Sequence, residues 1–162
     1  AVSACVILAE IAAWAKDQGL SLYQLLQKIY VEYGFSKEKG ISVVKKGKSG
    51  AEEIEAMMKK FRENPLTEIA GSKVTYFYDY STLKGKDYAE NETVTLDMPT
   101  TSNVLQYFTE DNTKVSIRPS GTEPKIKFYC EVHSKVKSID ELPEAEKAAE
   151  EKINQIKASL GI

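Results

Sequence analysis

The most regular alternation of apolar and polar residues lies between residues 125 and 133 and predicts a β-strand. Every second residue there is apolar, and the residues between are charged or carry a hydroxyl group. The apolar set is Ile126, Phe128, Cys130 and Val132. A period of two is expected for a strand that buries one face. Shorter patterns of the same kind predict strands at 103–109 and 114–118, so the three segments should form a meander.

Two further strands are predicted upstream. Residues 41–44 form a short run rich in β-branched side chains, which favour strands. Residues 73–80 place Phe77 on one face and four residues on the other: Val74, Tyr76, Tyr78 and Tyr80. Residues 81–101 are rich in polar side chains and are expected to be mostly loop.

A period near 3.6 predicts helices in four places. These are residues 1–17, 21–33, about 51–63, and a C-terminal segment after Ser138. The first is apolar on nearly every side, as expected of a helix buried between layers. Ser21 and Gln24 have the spacing of a capping box, which predicts where the second helix begins.

From residue 41 onward, the predicted order of elements is β-α-β-β-β-β-α. Strands that follow one another closely pair antiparallel, so this order predicts an α+β fold: a mostly antiparallel sheet with helices packed on one face. The chain is accordingly divided into a helical segment at 1–33, a polar linker or hinge at 34–40, and a C-terminal domain at 41–162.

Composition limits the function. The 162 residues include 22 basic and 24 acidic side chains, for a formal net charge of −2, and 42% of them are hydrophobic. This is the composition of a globular protein. It argues against a general binder of nucleic acid or of anionic membranes, because such binding rests on excess positive charge. The two cysteines, Cys5 and Cys130, lie far apart, which favours free thiols and a reducing cytoplasm.

The segment 118–125 reads Arg-Pro-Ser-Gly-Thr-Glu-Pro-Lys and has the chemistry of a phosphate-binding loop. Arg118 carries a planar guanidinium that meets phosphate oxygens in pairs, and Lys125 adds a mobile point charge. Ser120 and Thr122 supply hydroxyl donors. Gly121 lets a backbone N–H approach an anion closely, because it has no Cβ. The loop joins two predicted strands, which would hold it in place.

This octapeptide resembles the signature of the α-D-phosphohexomutases, the phosphoglucomutase/phosphomannomutase family. In that family it is the phosphate-binding loop of the fourth and last domain, which is TATA-binding-protein-like. The resemblance continues through residues 126–132 and backward through 103–106. Residues 1–33 resemble the closing helices of the third domain, so the chain resembles the C-terminal part of a phosphohexomutase.

The resemblance implies a role in interconverting hexose 1-phosphate and hexose 6-phosphate through a hexose 1,6-bisphosphate intermediate. In the family, the phosphoserine, the Mg²⁺ loop and the sugar-recognition loop belong to the first three domains, and none of those motifs occurs in this sequence. The chain alone is therefore expected to be inactive, with the hexose phosphate and the N-terminal domains as its partners. No catalytic or metal-binding residue is assigned to it. Cut away from such domains, residues 1–33 are expected to fold back on the last domain, to exchange with a neighbouring chain or to drive dimerisation.

Other interpretations of the same residues are weaker. A stand-alone sugar-phosphate-binding module without enzyme activity is the alternative function, and a DNA-binding module is a distant third. Gly47-Lys48-Ser49 is an incomplete P-loop, because Ser42 occupies the place of its first glycine. One histidine, His133, and two separated cysteines cannot form a structural zinc site. Glu123 would repel phosphate, so its side chain is expected to turn away, toward loop N–H groups or Lys125.

Overall fold

The structure is a computed structural model that describes residues 2–45 and 47–162. The chain forms two compact units. One contains the residues up to Ser36 together with Ser134–Ala148, and the other contains Lys37–His133 together with Ala149–Ile162. The domain boundary predicted from the sequence stays a prediction. Within the described residues, no helix is both long enough and apolar enough to cross a bilayer.

Two of the predicted helices form most of the first unit. Helix α1 spans Val2–Asp17 and α2 spans Leu22–Tyr33. The predicted capping box is present: the Ser21 hydroxyl accepts a hydrogen bond from the Gln24 backbone N–H at 3.2 Å, and the Gln24 side-chain oxygen accepts one from the Ser21 N–H at 2.8 Å. Most apolar side chains of α1 are exposed, however, and Ala15 is the buried one among its described residues.

The second unit is built on one mostly antiparallel sheet. Its strands are β1 (Phe35–Val44), β2 (Glu68–Ile69), β3 (Ser72–Asp79), β4 (Lys84–Asp87), β5 (Glu92–Thr95), β6 (Leu105–Thr109), β7 (Lys114–Pro119) and β8 (Lys125–Ser134). The order across the sheet is β1-β8-β7-β6-β3-β4-β5, with β2 paired to β3 outside this path. The meander β6-β7-β8 therefore forms the centre, as its alternation predicted.

One face of the sheet forms the core. The side chains that alternate inward from β6, β7 and β8 are fully or almost fully buried: Leu105, Tyr107, Val115, Ile117, Ile126, Phe128, Cys130 and Val132. Helix α3 (Gly47–Glu63) packs here, because the Phe61 ring lies edge-on to Phe128 with centroids 6.2 Å apart. The Tyr107 hydroxyl also donates a hydrogen bond to the Phe61 carbonyl at 3.0 Å.

The last helix, α4 (Leu142–Leu160), follows a single 3₁₀ turn at Ile139–Glu141. Its second half buries Ile153 and Ile156 completely. The Ser159 hydroxyl near its end accepts a hydrogen bond from the Ala70 N–H in the turn between β2 and β3. A mostly antiparallel sheet together with helices that bury part of their side chains confirms the predicted α+β fold.

The structure corrects two predictions about strands. The first strand was predicted at residues 41–44, but β1 already begins at Phe35 and includes residues 35–40. The segment lacks an apolar alternation because β1 is an edge strand, and edge strands often carry charged side chains. Residues 81–101 were expected to be mostly loop, but they contain β4 and β5. These strands are short and polar, so no hydrophobic period marks them.

The placement of Val74 on the tyrosine face is also wrong. An irregularity in the pairing of β3 with β6 lies between Val74 and Tyr76. A bulge of this kind shifts the alternation by one residue. Val74 is therefore buried like Phe77, while Tyr76 and Tyr78 are partly exposed.

Candidate functional site

The predicted phosphate-binding loop is the connection between β7 and β8, and backbone hydrogen bonds hold it at both ends. The Ser120 N–H donates to the Lys125 carbonyl at 2.8 Å, which closes the hairpin. The Lys125 N–H donates to the Glu123 carbonyl at 2.7 Å inside the loop. From outside the hairpin, the Lys45 N–H donates to the Pro124 carbonyl at 2.9 Å, so the segment before α3 is attached to the loop.

A cavity of about 410 Å³ lies between the loop and the beginning of α3. The loop contributes residues 119–124, and the helix contributes Gly47, Ala51, Ile54 and Glu55. This volume is in the range of small-molecule sites. Three residues predicted to bind phosphate, Ser120, Gly121 and Thr122, are thus brought together along one wall. The helix residues were not found from the sequence, since nothing in the octapeptide indicates which element faces it.

Gly121 faces open space. A Cβ placed on this residue would meet no atom of the chain within 4 Å. Packing within the chain therefore does not require glycine here. This observation agrees with the expectation that the missing side chain leaves room for a ligand.

The described residues that line this cavity do not include Arg118. Its neighbours Ile117 and Pro119 point inward or toward the cavity, and alternation along β7 directs Arg118 to the opposite face of the sheet. On that face, Arg118 lies opposite Lys127 in the antiparallel register of β7 and β8. The Arg118 side chain is exposed on that face.

Lys125 is engaged by a carboxylate. Its ammonium group lies 2.5 Å from a carboxylate oxygen of Glu123. The hydrogen bond and charge of Lys125 lower the pKa of Glu123, which keeps this carboxyl ionised. Of the two alternatives for Glu123, the structure selects the ion pair with Lys125. The pair reduces the net positive charge that Lys125 offers to a phosphate group.

The electrostatic character of the cavity is mixed. Helix α3 begins at Gly47, and the amide groups of a first helical turn carry a partial positive charge. Glu55 and Glu123 bring two carboxylates to the walls, of which Glu123 is paired. Nearby, Lys45 forms an ion pair with Glu53 at 3.0 Å. Within the cavity, an anion would therefore depend on the amide and hydroxyl donors of the loop.

The remaining candidate residues do not join this site. His133 lies 2.9 Å from Glu131, whose other oxygen is 3.5 Å from the Lys114 ammonium. Both cysteines are free, and burial raises the pKa of Cys130 to about 11, so its thiol is unreactive near neutral pH. Across the described ranges, no three His, Cys, Asp or Glu side chains lie together in a way that could hold a metal ion.

Comparison with known proteins places these features in a family. A family model described as phosphoglucomutase/phosphomannomutase, C-terminal domain, matches residues 41–149. A phosphoglucomutase of Staphylococcus haemolyticus is 36% identical over 118 residues, which are 73% of this chain and 21% of that protein. A phosphoglucomutase of Staphylococcus aureus strain MRSA252 is 35% identical over 129 residues, which are 80% and 23%. The chain thus spans about a fifth of the length of the curated relatives it matches.

A solved structure of parafusin, a phosphoglucomutase from Paramecium in its open form, also matches. It is 15% identical, with a TM-score of 0.38, over 73% of this chain and 19% of that one.

Proposed function

Since the chain belongs to the family of phosphoglucomutase/phosphomannomutase C-terminal domains, we propose that it binds the substrate phosphate for a phosphohexomutase. The reaction would interconvert hexose 1-phosphate and hexose 6-phosphate through a hexose 1,6-bisphosphate. The observation that supports this role most directly is the cavity lined by Ser120, Gly121 and Thr122. All three are polar or backbone donors on a loop held between two strands.

The phosphate group would lie against the loop side of the cavity. The hydroxyls of Ser120 and Thr122 and the backbone N–H groups beside Gly121 would donate to its oxygens. The exposed guanidinium of Arg118 would approach from the edge of the loop and add a paired contact. Lys125 would contribute least, because its ammonium group is already paired with the Glu123 carboxylate.

This set of donors suits a reaction whose intermediate must bind in two orientations. Hydroxyl, amide and guanidinium donors recognise the oxygens of a phosphate group, whichever carbon of the sugar carries it. Apart from these donors, the loop presents two prolines and one carboxylate, and that carboxylate, Glu123, is already paired with Lys125. Preference for glucose or mannose would then be determined outside this loop.

Phosphoryl transfer itself would need groups from outside this chain. Mg²⁺ does not fit the described residues, because they bring no cluster of three or more candidate ligands together. We therefore infer that residues 1–162 bind but do not catalyse, and that the missing chemistry resides in other domains of the same protein. The free thiols agree with a cytoplasmic location for that protein.

Binding is tested by titrating the chain with inorganic phosphate and with glucose 6-phosphate while amide NMR shifts are recorded. Saturable shifts are expected at Ser120, Gly121 and Thr122, with a dissociation constant on the order of millimolar, or about 4 kcal/mol. Arg118→Ala should abolish them while the fold is retained. Lys59→Ala, at an exposed position of α3 away from the loop, is the matched control and should bind normally. Shifts spread over the whole surface would contradict the proposal.

Catalysis is tested by a coupled assay with glucose 1-phosphate, glucose 1,6-bisphosphate and Mg²⁺. The chain alone should give the rate of the blank. Adding a separately purified protein with the remaining domains should produce turnover, and Arg118→Ala should lower it. Phosphate binding without any turnover in the combined sample would favour the alternative of a stand-alone sugar-phosphate-binding module.

A further inference from the structure

A second cavity, of about 390 Å³, opens on the inner face of the sheet beyond the end of α3. This cavity shares no described lining residue with the loop cavity. Its floor includes Phe77 and Gly85, and its walls include Pro65 and Tyr88. Three cationic side chains, one carboxylate and two threonines complete it: Arg62, Lys84, Lys86, Asp79, Thr82 and Thr93. In a chain with a net charge of −2, this is a local concentration of positive charge beside aromatic rings.

Arg62 is held in a fixed orientation at this cavity. Its Nε donates to the Asp79 carboxylate at 2.8 Å, and its Nη2 donates to the Asn103 side-chain oxygen at 2.9 Å. Within the described residues, Nη1 donates to no partner. Because two attachments restrain the guanidinium, little side-chain entropy would be lost when Nη1 meets an anion. Arg62 and Arg118 are the only two arginines of the chain.

The carboxylate that orients Arg62 is itself well supported. Asp79 is only 5% exposed, and its second oxygen accepts hydrogen bonds from the Ser81 hydroxyl at 2.7 Å and the Ser81 N–H at 3.0 Å. Burial alone would raise the pKa of Asp79, but the bonds from Ser81 and Arg62 outweigh it and lower the pKa. The carboxyl group stays ionised near neutral pH and keeps Arg62 in place.

The two lysines differ in what they offer. Lys86 donates to the side chain and the backbone carbonyl of Asn91, at 2.5 and 3.1 Å, so it is already engaged. Lys84 is exposed on the same face of β4. Arg62 and Lys84 are therefore the two cations best placed to receive a ligand. Burial raises the pKa of the Tyr88 phenol, which remains a hydrogen-bond donor beside them.

We propose that this cavity is a second anion site, which binds a small organic phosphate with its phosphate group between Arg62 and Lys84 and its apolar part against Phe77 and Tyr88. The free Nη1 of a guanidinium and an ammonium suit a phosphate dianion, since each donates a charge-assisted hydrogen bond. The volume accommodates a phosphate joined to one ring, and aromatic walls favour such a ring over free phosphate. The site does not depend on the loop cavity or on the function proposed for it.

Phenyl phosphate and inorganic phosphate are the probes, titrated into the full chain with residue-resolved amide NMR. Phenyl phosphate should shift Thr82, Gly85 and Thr93 saturably, and inorganic phosphate should bind the same residues several-fold more weakly. Lys84→Gln should weaken phenyl phosphate binding by about tenfold, as expected for loss of one charged hydrogen bond. Lys73→Gln, an exposed lysine of β3 outside the cavity, is the matched control and should change nothing.

Two further variants separate binding from folding. Arg62→Lys keeps a cation beside Asp79 but loses the planar fork, and it should reduce affinity at least about fivefold while the melting curve stays cooperative. Arg118→Ala should remove the shifts at Ser120–Thr122 and leave those at Thr82–Thr93, which distinguishes the two sites. The proposal is overturned if phenyl phosphate causes no saturable shift at Thr82, Gly85 and Thr93. It is also overturned if Lys84→Gln and Lys73→Gln bind phenyl phosphate equally well.

Discussion

The backbone N–H of Lys45 donates a hydrogen bond to the carbonyl oxygen of Pro124 at 2.9 Å, which attaches the segment before α3 to the loop between β7 and β8. On the helix side, the backbone of Gly50 lies close to Lys45. A Cβ on Gly50 would lie 2.7 Å from the Lys45 carbonyl carbon and 2.8 Å from its carbonyl oxygen. The absence of a side chain at Gly50 thus allows the close approach that positions Lys45 against the loop.

Gly50→Ala is expected to disturb the loop although it lies outside it. The added methyl group meets backbone atoms that cannot rotate away, and overpacking costs about 1–3 kcal/mol, of which alanine's higher helix propensity returns up to about 1 kcal/mol. We expect a net loss of stability in chemical denaturation, shifted amide signals at 119–125, and weaker phosphate binding. Ser49→Ala, one position earlier on α3, is the control. A Gly50→Ala protein with wild-type loop signals would contradict this coupling.

The elements that the sequence predicted well are those whose burial follows a simple period. The alternation at Ile126, Phe128, Cys130 and Val132 predicts the inner face of β8 correctly, because all four residues are buried. The capping box at Ser21 predicts the beginning of α2, because the signal is local and needs no partner elsewhere in the chain.

The elements that were missed lack such a signal. Strands β4 and β5 read Lys-Gly-Lys-Asp and Glu-Thr-Val-Thr. They are held by backbone pairing, β4 to β3 and β5 to β4, rather than by an apolar face. Leu83 and Asn91 adopt positive φ at the turns before and after β4, which only the backbone reveals. The octapeptide is a local signal, so it indicated a loop with phosphate chemistry. The helix that faces this loop and the Arg62–Asp79 pair depend on residues far apart in the chain, so they became visible only in three dimensions.

Asp79→Asn should destabilise the protein in a pH-dependent way. The substitution leaves Arg62 beside a neutral amide, and loss of a charge-assisted hydrogen bond in this part-buried pair should cost about 1.5–3 kcal/mol. The pKa of folded Asp79 lies below its ordinary 3.8, so the carboxylate stabilises the fold above that pH and loses this effect as the pH falls through the folded value. The difference in unfolding free energy between wild type and variant should therefore be largest at neutral pH and shrink below about pH 4.

Urea denaturation at several pH values measures this difference. Glu53→Gln, which removes the exposed partner of Lys45, is the control and should show at most a small effect. A gap between wild type and Asp79→Asn that stays constant from pH 7 to pH 2 would show that the Asp79 charge is not responsible.

Gly85→Ala should destabilise β4 because the Tyr78 ring covers this glycine. A Cβ at position 85 would lie 2.5 Å from Cδ1 of Tyr78 and 2.9 Å from the Phe77 carbonyl oxygen. We expect a loss of about 2 kcal/mol in thermal or chemical denaturation. Adding Tyr78→Ala should recover part of that loss, since it removes the nearer obstacle, and the double-mutant cycle measures the coupling. Strictly additive effects would contradict the contact.

The first unit leaves an unusual amount of apolar surface uncovered, and we predict that the purified chain self-associates through it. Val6 is 62% exposed and Trp14 is 54% exposed, and other apolar residues of α1 and α2 are similarly open: Ile7, Leu8, Tyr23 and Tyr33. Apolar surface of this extent normally meets a partner. Sedimentation at rising concentration should show a dimer or larger species, and the paired substitution Val6→Lys with Trp14→Lys should shift it toward the monomer.

Removing residues 1–33 should abolish the association while residues 34–162 stay folded, because Lys37–His133 and the part of α4 from Ala149 onward form a compact unit of their own. Circular dichroism melting of the shortened chain tests whether residues 34–162 stay folded. For the paired substitution of Val6 and Trp14, Lys28→Glu at an exposed polar position of α2 controls for a general effect of charge. If the shortened chain melts cooperatively but still associates, the contact surface lies on the sheet unit. If it does not fold, the boundary predicted near residues 34–40 is wrong, and β1 needs the helices that precede it.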